Sequence, residues 1–126
     1  MNKIQLLQMF KQNLLAFLDT MVEQFPEEND FRIFKVLVND IPVEESLKYF
    51  SQVILPHADK VLKKDDTFFV NECSNILSGF NVNSQKTDHF KKIWLSPRLD
   101  AEDRENLWKW FKLFLNIAQQ YKKLSS

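Results

Sequence analysis

The sequence predicts an all-α fold, a compact bundle of five or six mostly antiparallel helices. Apolar residues recur at three- and four-residue steps along most of the chain, which is the spacing of one helix face. Only one glycine occurs in 126 residues, whereas average usage gives roughly nine, so folds rich in tight turns are disfavoured. The closing segment, Asp100–Leu124, is the longest periodic stretch without glycine or proline. Its apolar arc spans roughly 220° of a helical wheel, against about 100° for an ordinary surface helix.

The first predicted helix follows Asn2, which can cap it, and ends at Pro26, because the residue before a proline avoids the α region. Its apolar positions are Ile4, Leu7, Phe10, Leu14, Leu18, Met21 and Phe25. Acidic residues then mark the start of a second helix, which ends near Asn39-Asp40. The apolar stripe of this second helix consists of Phe31, Phe34, Leu37 and Val38.

A third helix is expected after Pro42, which suits an early helical position. Its stripe consists of Leu47, Phe50, Val53 and Ile54. Pro56 leaves two alternatives: the helix ends near Leu55, or it kinks and continues to Lys63-Lys64. We favour the kink or a short break, because Ala58, Val61 and Leu62 keep a helical spacing.

Two further helices are expected before the last one. Asp65 or Asp66 caps the fourth, and Gly79 can close it in a left-handed conformation. The apolar positions of the fourth helix are Phe69, Cys73, Ile76 and Leu77. Ser84 can cap a short fifth helix that ends at Ser96-Pro97 and carries Phe90, Ile93 and Trp94.

The last predicted helix has a well-marked start and end. Asp100 is a candidate N-cap, Glu102 and Asp103 place negative charge in the first turn, and Lys122 and Lys123 place positive charge in the last. Because so wide an apolar arc touches several partners, we expect this helix to form the centre of the core and to pack against the first. Residues 1–126 are then one helical domain.

Composition and charge narrow the functions open to the chain. Seventeen basic and seventeen acidic residues cancel, which removes the general electrostatic signature of a nucleic-acid binder. The charge is uneven, however: residues 1–45 carry four basic and eight acidic groups, and the remainder carries thirteen and nine. A single cysteine fits a reducing, intracellular compartment, and neither a secretory signal nor an apolar run of membrane length is expected.

No pattern of catalytic residues is present in the sequence. His57 and His89 are the only histidines, and each is expected at a surface or helix end, while Cys73 lies on an apolar stripe and reads as a core residue. The scattered histidines and single cysteine match no zinc spacing, and phosphate-binding loops lack their glycines. Adjacent acidic pairs are explained by helix capping. We therefore expect that the protein is not an enzyme and that it binds no cofactor, no metal and no small-molecule substrate.

Two binding hypotheses follow. In the first, the chain binds another protein, or a second copy of itself, through Trp108, Trp110 and Leu113 on the last helix, with the acidic N-terminal third biasing orientation. Trp108 and Leu113 lie at opposite edges of the apolar arc and can contact a partner if these edges are exposed. The alternative is that the first and fourth helices cover both edges.

In the second hypothesis, a basic segment with interleaved aromatic residues associates with nucleic acid. Its residues are Lys63, Lys64, Lys86, Lys91, Lys92 and Arg98. Against it, Phe90 and Trp94 are explained by one buried stripe with solvated lysines around it.

Four short runs distributed over most of the chain support a family resemblance. They are Phe17-Leu18 leading to Phe25-Pro26, the run 64–69, the run 93–96 and the run 105–110. With these core aromatics and helix caps, the chain resembles small uncharacterised helical proteins of large nucleocytoplasmic DNA viruses. The resemblance implies a viral protein that works in the cytoplasm of the infected cell or is packed in the virion, and it supplies no catalytic residues.

Overall fold

Helices make up all the regular structure in the described part of the chain. The computed structural model describes residues 2–68, 71–72, 88 and 91–125, and no strand occurs among them. The α-helices are α1 (Lys3–Gln24), α2 (Asn29–Asp40), α3 (Val43–Ile54), α4 (Ala58–Leu62) and α5 (Ala101–Ser125), with a 3-10 turn, Leu55–His57, between α3 and α4. Residues 66–68, 71–72 and 91–94 are also helical. The predicted all-α class is confirmed.

The helix starts carry the predicted caps. The backbone N–H of Gln5 donates to the Asn2 Oδ1 atom at 2.8 Å, and the Gln5 side chain accepts from the Asn2 backbone at 3.1 Å. An equivalent reciprocal pair opens α5, where Asp103 N–H donates to Asp100 Oδ1 at 2.8 Å. Asp65, rather than Asp66, caps the next helical segment by accepting from the Phe68 N–H at 3.2 Å. These side chains satisfy backbone donors that a helix N-terminus otherwise leaves unpaired.

The chain breaks at Pro56 in the way that the retained helical spacing predicts, with a 3-10 turn followed by the short α4. α4 ends in a Schellman motif: the Asp65 N–H donates to the Lys60 carbonyl at 3.0 Å, and the Lys64 N–H donates to the Val61 carbonyl at 3.1 Å. Lys64 takes the left-handed position of this motif, with φ of 58°. A lysine there carries a steric cost of about 1 kcal/mol that glycine would avoid.

α5 lies antiparallel to α1, as contacts at both ends show. At one end the Gln24 side chain donates to Asp103 Oδ2 at 3.1 Å. At the other end, Lys3 of α1 contacts Glu44 of α3, and Glu44 accepts from the Tyr121 hydroxyl of α5. α3 therefore runs parallel to α1, and both run antiparallel to α5.

Phe114 of α5 is the meeting point of these three helices. Its ring centroid lies 6.0 Å from those of Phe10 and Phe17 on α1 and 6.3 Å from that of Phe50 on α3, all edge-to-face. Phe114 and Phe10 are almost fully buried. The predicted central position of the last helix is confirmed. Nine residues on which expectations were placed lie outside the described part of the chain: Phe69, Cys73, Ile76, Leu77, Gly79, Ser84, Lys86, His89 and Phe90.

Candidate interaction surfaces

Trp108 is a core residue, so of the two alternatives left open for it, an exposed edge or a covered one, the structure shows the covered edge. Only 3% of the residue is exposed. Its ring centroid lies 5.6 Å from that of Trp94 and 5.5 Å from that of Phe111, and its indole N–H donates to Asp66 Oδ1 at 3.3 Å. The edge of α5 on this side is therefore covered, and a partner could reach Trp108 only by opening the core.

Trp110 and Leu113 lie on the opposite flank of α5 and are half-buried. The Trp110 ring stacks on Phe114, with centroids 6.2 Å apart and an interplanar angle of 23°, and meets Phe17 edge-to-face at 5.9 Å. One side of the indole therefore belongs to the core, while part of the residue remains accessible. Contact of Trp110 and Leu113 with a partner stays a prediction.

The most exposed apolar surface shared by neighbouring residues lies on α2 instead. Six described large apolar residues are exposed: Ile4, Ile33, Val36, Leu62, Leu95 and Leu124. Among these six, Ile33 and Val36 are the pair that lies within one turn of the same helix, with 44% and 60% of each residue exposed. Residues three apart on a helix are surface neighbours, with Cβ atoms about 5–6 Å apart. Sequence reasoning missed this pair, although two β-branched residues opposite the Phe31–Phe34–Val38 stripe were a readable signal.

The opposite face of α2 is firmly attached to the bundle. Phe31, Phe34 and Val38 are buried, and the Phe31 ring lies 6.0 Å from that of Phe25. At the edge, Lys35 Nζ lies 2.5 Å from Asp19 Oδ1 of α1. The core side of α2 is thus complete without Ile33 and Val36, and these two residues are presented to solvent on a helix that is held in place.

The exposed side of α2 also carries a row of three residues spaced four apart: Arg32, Val36 and Asp40, all exposed. Such residues form one ridge along a helix surface. The Arg32 Nη1 atom donates to Asn29 Oδ1 at 3.2 Å, which holds the guanidinium close to this ridge. Ile33 and the half-buried Leu37 lie on the adjacent row. The face therefore combines an apolar centre with a cation at one end and an anion at the other.

Three of the five described residues of the proposed nucleic-acid segment form ion pairs within the chain. Lys64 forms an ion pair with Glu105 of α5, and Lys91 Nζ lies 3.9 Å from Asp88 Oδ1. The hydrogen bond from Lys64 lowers the pKa of the Glu105 carboxyl, an effect that its burial partly opposes. Lys63 and Lys92 are exposed, and Lys86 lies outside the described residues.

Arg98 is exposed but contacts the C-terminal end of α1 and the residues that follow it. Its guanidinium pairs with Glu27, donates to the Gln24 carbonyl at 3.1 Å and lies 4.6 Å from the Phe25 ring centroid. Together with the lysine pairs, this arrangement disfavours the basic segment as a nucleic-acid surface, since three of its cations already face carboxylates of the same chain.

One polar cluster ties three helix ends together. Lys3 Nζ lies 2.5 Å from Glu44 Oε1, and the Tyr121 hydroxyl donates weakly to the same carboxylate at 3.5 Å. The hydrogen bond with Lys3 lowers the pKa of the Glu44 carboxyl, and the same bond raises the pKa of the Lys3 ammonium. Both side chains are about half exposed, so this cluster acts as a surface tie between α1, α3 and α5.

Of the two histidines and the cysteine, His57 lies within the described residues, and its ring centroid lies 5.0 Å from that of Phe68. Within residues 2–68, 71–72, 88 and 91–125, no group of three histidine, cysteine or acidic side chains is placed to hold a metal ion. No helix of those same residues has the length and apolar character needed to cross a membrane.

No protein-family model, curated protein or solved structure matches this chain.

Proposed function

We propose that this chain is a non-enzymatic protein-binding module that acts through an exposed apolar helix surface, and that a second copy of the chain is one of the proteins it binds. The observation that carries the proposal is the exposed pair Ile33 and Val36 on α2. Apolar side chains scattered singly on a surface are ordinary, whereas neighbouring ones on one helix face suit a protein contact.

The apolar pair is not part of the buried core side of α2. Phe31, Phe34 and Val38 already bury the core side of this helix. A contact on Ile33 and Val36 would remove both side chains from water, at about 25 cal/mol for each Å² of apolar surface covered. The exposed pair is thus better explained by an interface than by the fold.

The size of the surface sets the expected affinity. α2 has twelve residues, which corresponds to a length of about 18 Å. One helix face of this length is at the small end of specific interfaces, which bury about 800 Å² on each partner. We therefore expect a reversible complex with a dissociation constant in the micromolar range, rather than an obligate dimer.

The α5 flank around Trp110 and Leu113 is the second surface that we propose for protein contact. Its half-buried tryptophan rests on Phe114 and Phe17, so its accessible edge is rigidly held, and rigid aromatic residues are favoured at binding hot spots. Trp110 and Leu113 are half-buried, whereas Ile33 and Val36 are exposed, and we place this flank second for that reason.

We also propose that the module works inside cells, as the single cysteine suggests. The resemblance to viral helical proteins adds the cytoplasm of an infected cell, or the virion, as the specific site of action. Neither proposal bears on which surface is used.

The test is size-exclusion chromatography with light scattering, run from low micromolar to near-millimolar protein and at low and high salt. Wild type is expected to rise from 15.1 kDa toward twice that mass with concentration. Val36→Lys should remain monomeric, whereas Leu95→Lys should behave as wild type, because Leu95 is equally exposed at 60% on another part of the surface. Leu113→Lys tests the α5 flank in the same series. A wild type that stays at 15.1 kDa throughout, or three variants that all associate as wild type does, would contradict the proposal.

A further inference from the structure

We infer that α2 pairs with α2 of a second copy in an antiparallel arrangement, about a two-fold axis that passes beside Val36. This inference rests on the proposed function and gives it a geometry. It is carried by the row Arg32–Val36–Asp40, in which an exposed cation and an exposed anion are each four residues from the exposed valine.

Antiparallel pairing about Val36 makes this row complementary to itself. Val36 then faces Val36 of the second copy, Arg32 of each copy faces Asp40 of the other, and two equivalent ion pairs bracket an apolar centre. A two-fold interface requires this kind of pattern, since each contact must occur twice with the roles exchanged. Ile33 and Leu37 on the adjacent row extend the apolar contact when the ridges of two helices interlock.

The same charges disfavour the other ways of pairing. A parallel pair of α2 helices would set Arg32 against Arg32 and Asp40 against Asp40, and like charges in an interface are repulsive. The charge pattern therefore selects the antiparallel over the parallel α2 pair.

Charge reversal tests the register directly. Arg32→Glu sets a glutamate against Asp40 of the second copy, and Asp40→Arg sets an arginine against Arg32. Each single variant should raise the dimer dissociation constant about 30-fold at low salt, since two attractive pairs become two repulsive ones. The double variant Arg32→Glu/Asp40→Arg restores both pairs and should return to within a few-fold of wild type. In high salt the effect of the single reversals should shrink while the apolar contact persists.

These substitutions should leave the fold intact. Arg32 lies near the N-terminus of α2 and Asp40 is its last residue, so each reversal introduces the charge that the helix dipole prefers at that end. Circular dichroism at 222 nm and thermal unfolding of each variant provide the control. A change in association with unchanged helicity can then be assigned to the interface.

A cysteine cross-link tests the two-fold axis without using charge. In a Cys73→Ser background, Val36→Cys should form a disulfide-linked dimer under mild oxidation, because the axis brings position 36 beside its own copy. Leu95→Cys in the same background serves as the control and should cross-link much more slowly.

The outcomes separate this inference from the function on which it rests. If Val36→Lys dissociates the complex but the double charge reversal does not rescue the single variants, the α2 face is an interface and the antiparallel register is wrong. If Val36→Lys has no effect on association, the proposed surface itself is wrong. Equal cross-linking at positions 36 and 95 would also overturn the two-fold arrangement.

Discussion

Replacing Phe114 with alanine perturbs the position on which the bundle converges. Phe114 is 4% exposed, and its ring meets aromatic rings from α1, α3 and α5 itself. The centroid distances to Phe10, Phe17, Phe50 and Trp110 lie between 6.0 and 6.3 Å. All four fall in the range of favourable aromatic pairs.

The expected loss of stability is at the upper end for a core truncation. Phe→Ala substitutions in cores cost about 3–5 kcal/mol through lost burial and the cavity left behind. Because Phe114 loses four aromatic neighbours from three helices, we expect about 4–5 kcal/mol for Phe114→Ala. This is a large part of the roughly 5–15 kcal/mol that holds an ordinary domain together. Phe114→Leu keeps most of the volume and should cost about 1–2 kcal/mol.

Urea unfolding followed by circular dichroism at 222 nm measures the loss. With a denaturant slope of about 2 kcal/mol per molar for a chain of this size, Phe114→Ala should lower the midpoint by about 2 M. Gln119→Ala, an exposed position on the same helix, is the matched control and should change stability by less than about 0.5 kcal/mol. Phe114→Leu gives a measurable value if the alanine variant is unfolded in buffer.

A Phe114→Ala variant that loses no more than about 1 kcal/mol would refute the reasoning. It would mean that the three helices do not converge on this ring, and that the wide apolar arc of α5 does not mark the centre of the core. A result matching Gln119→Ala would be the clearest contradiction.

Three further predictions concern the surface contacts. Lys64→Gly should be about 1 kcal/mol more stable than Lys64→Ala in thermal unfolding, because both lose the same ion pair and only glycine relieves the left-handed backbone; equal melting temperatures would contradict this. Arg98→Ala should lower the free energy of unfolding in urea by about 1–2 kcal/mol, because it removes the contact with Phe25 and the ion pair with Glu27, and Arg98→Lys should restore only part of this loss. An unchanged free energy of unfolding in Arg98→Ala would show that these contacts do not stabilise the fold. Lys3 lowers the pKa of Glu44, so the ionised Glu44 carboxylate stabilises the fold above its ordinary pKa, and this stabilisation is lost as the pH falls through the lower native pKa. The melting temperature of Glu44→Gln should therefore fall less steeply from pH 7 to pH 2 than that of wild type. Identical pH profiles would show that the ion pair does not contribute to stability.

The sequence predicted the elements whose signals are local. Asn2, Asp65 and Asp100 cap the segments that follow them because a side-chain acceptor next to a helix start is a short-range feature. The break at Pro56 and the central position of the last helix were also predictable, from proline chemistry and from apolar periodicity.

Features that depend on distant contacts were not predictable. Trp108 is buried because Trp94 and Asp66 reach it from other segments, and a helical wheel contains no information on what covers a given edge. Arg98 was placed in a candidate nucleic-acid segment without its partner Glu27, which lies far away in sequence. Such pairings arise when the bundle closes, so charge along the chain alone does not predict them.

The α2 face shows a signal that was present and overlooked. Ile33 and Val36 fall on the side of the wheel opposite the predicted stripe, next to Arg32. The helical spacing of apolar residues identifies the face that packs on the core, and it does not assign apolar residues that lie outside that stripe. In this chain those residues carry the proposed function.

The antiparallel α2 interface is tested most directly by the dissociation constant of the Arg32→Glu/Asp40→Arg double variant, measured by sedimentation equilibrium beside wild type and the two single variants at low salt. This interface predicts association within a few-fold of wild type for the double variant and about 30-fold weaker association for each single variant. A double variant as weak as the single ones, or four proteins that associate equally, would contradict the antiparallel α2 interface.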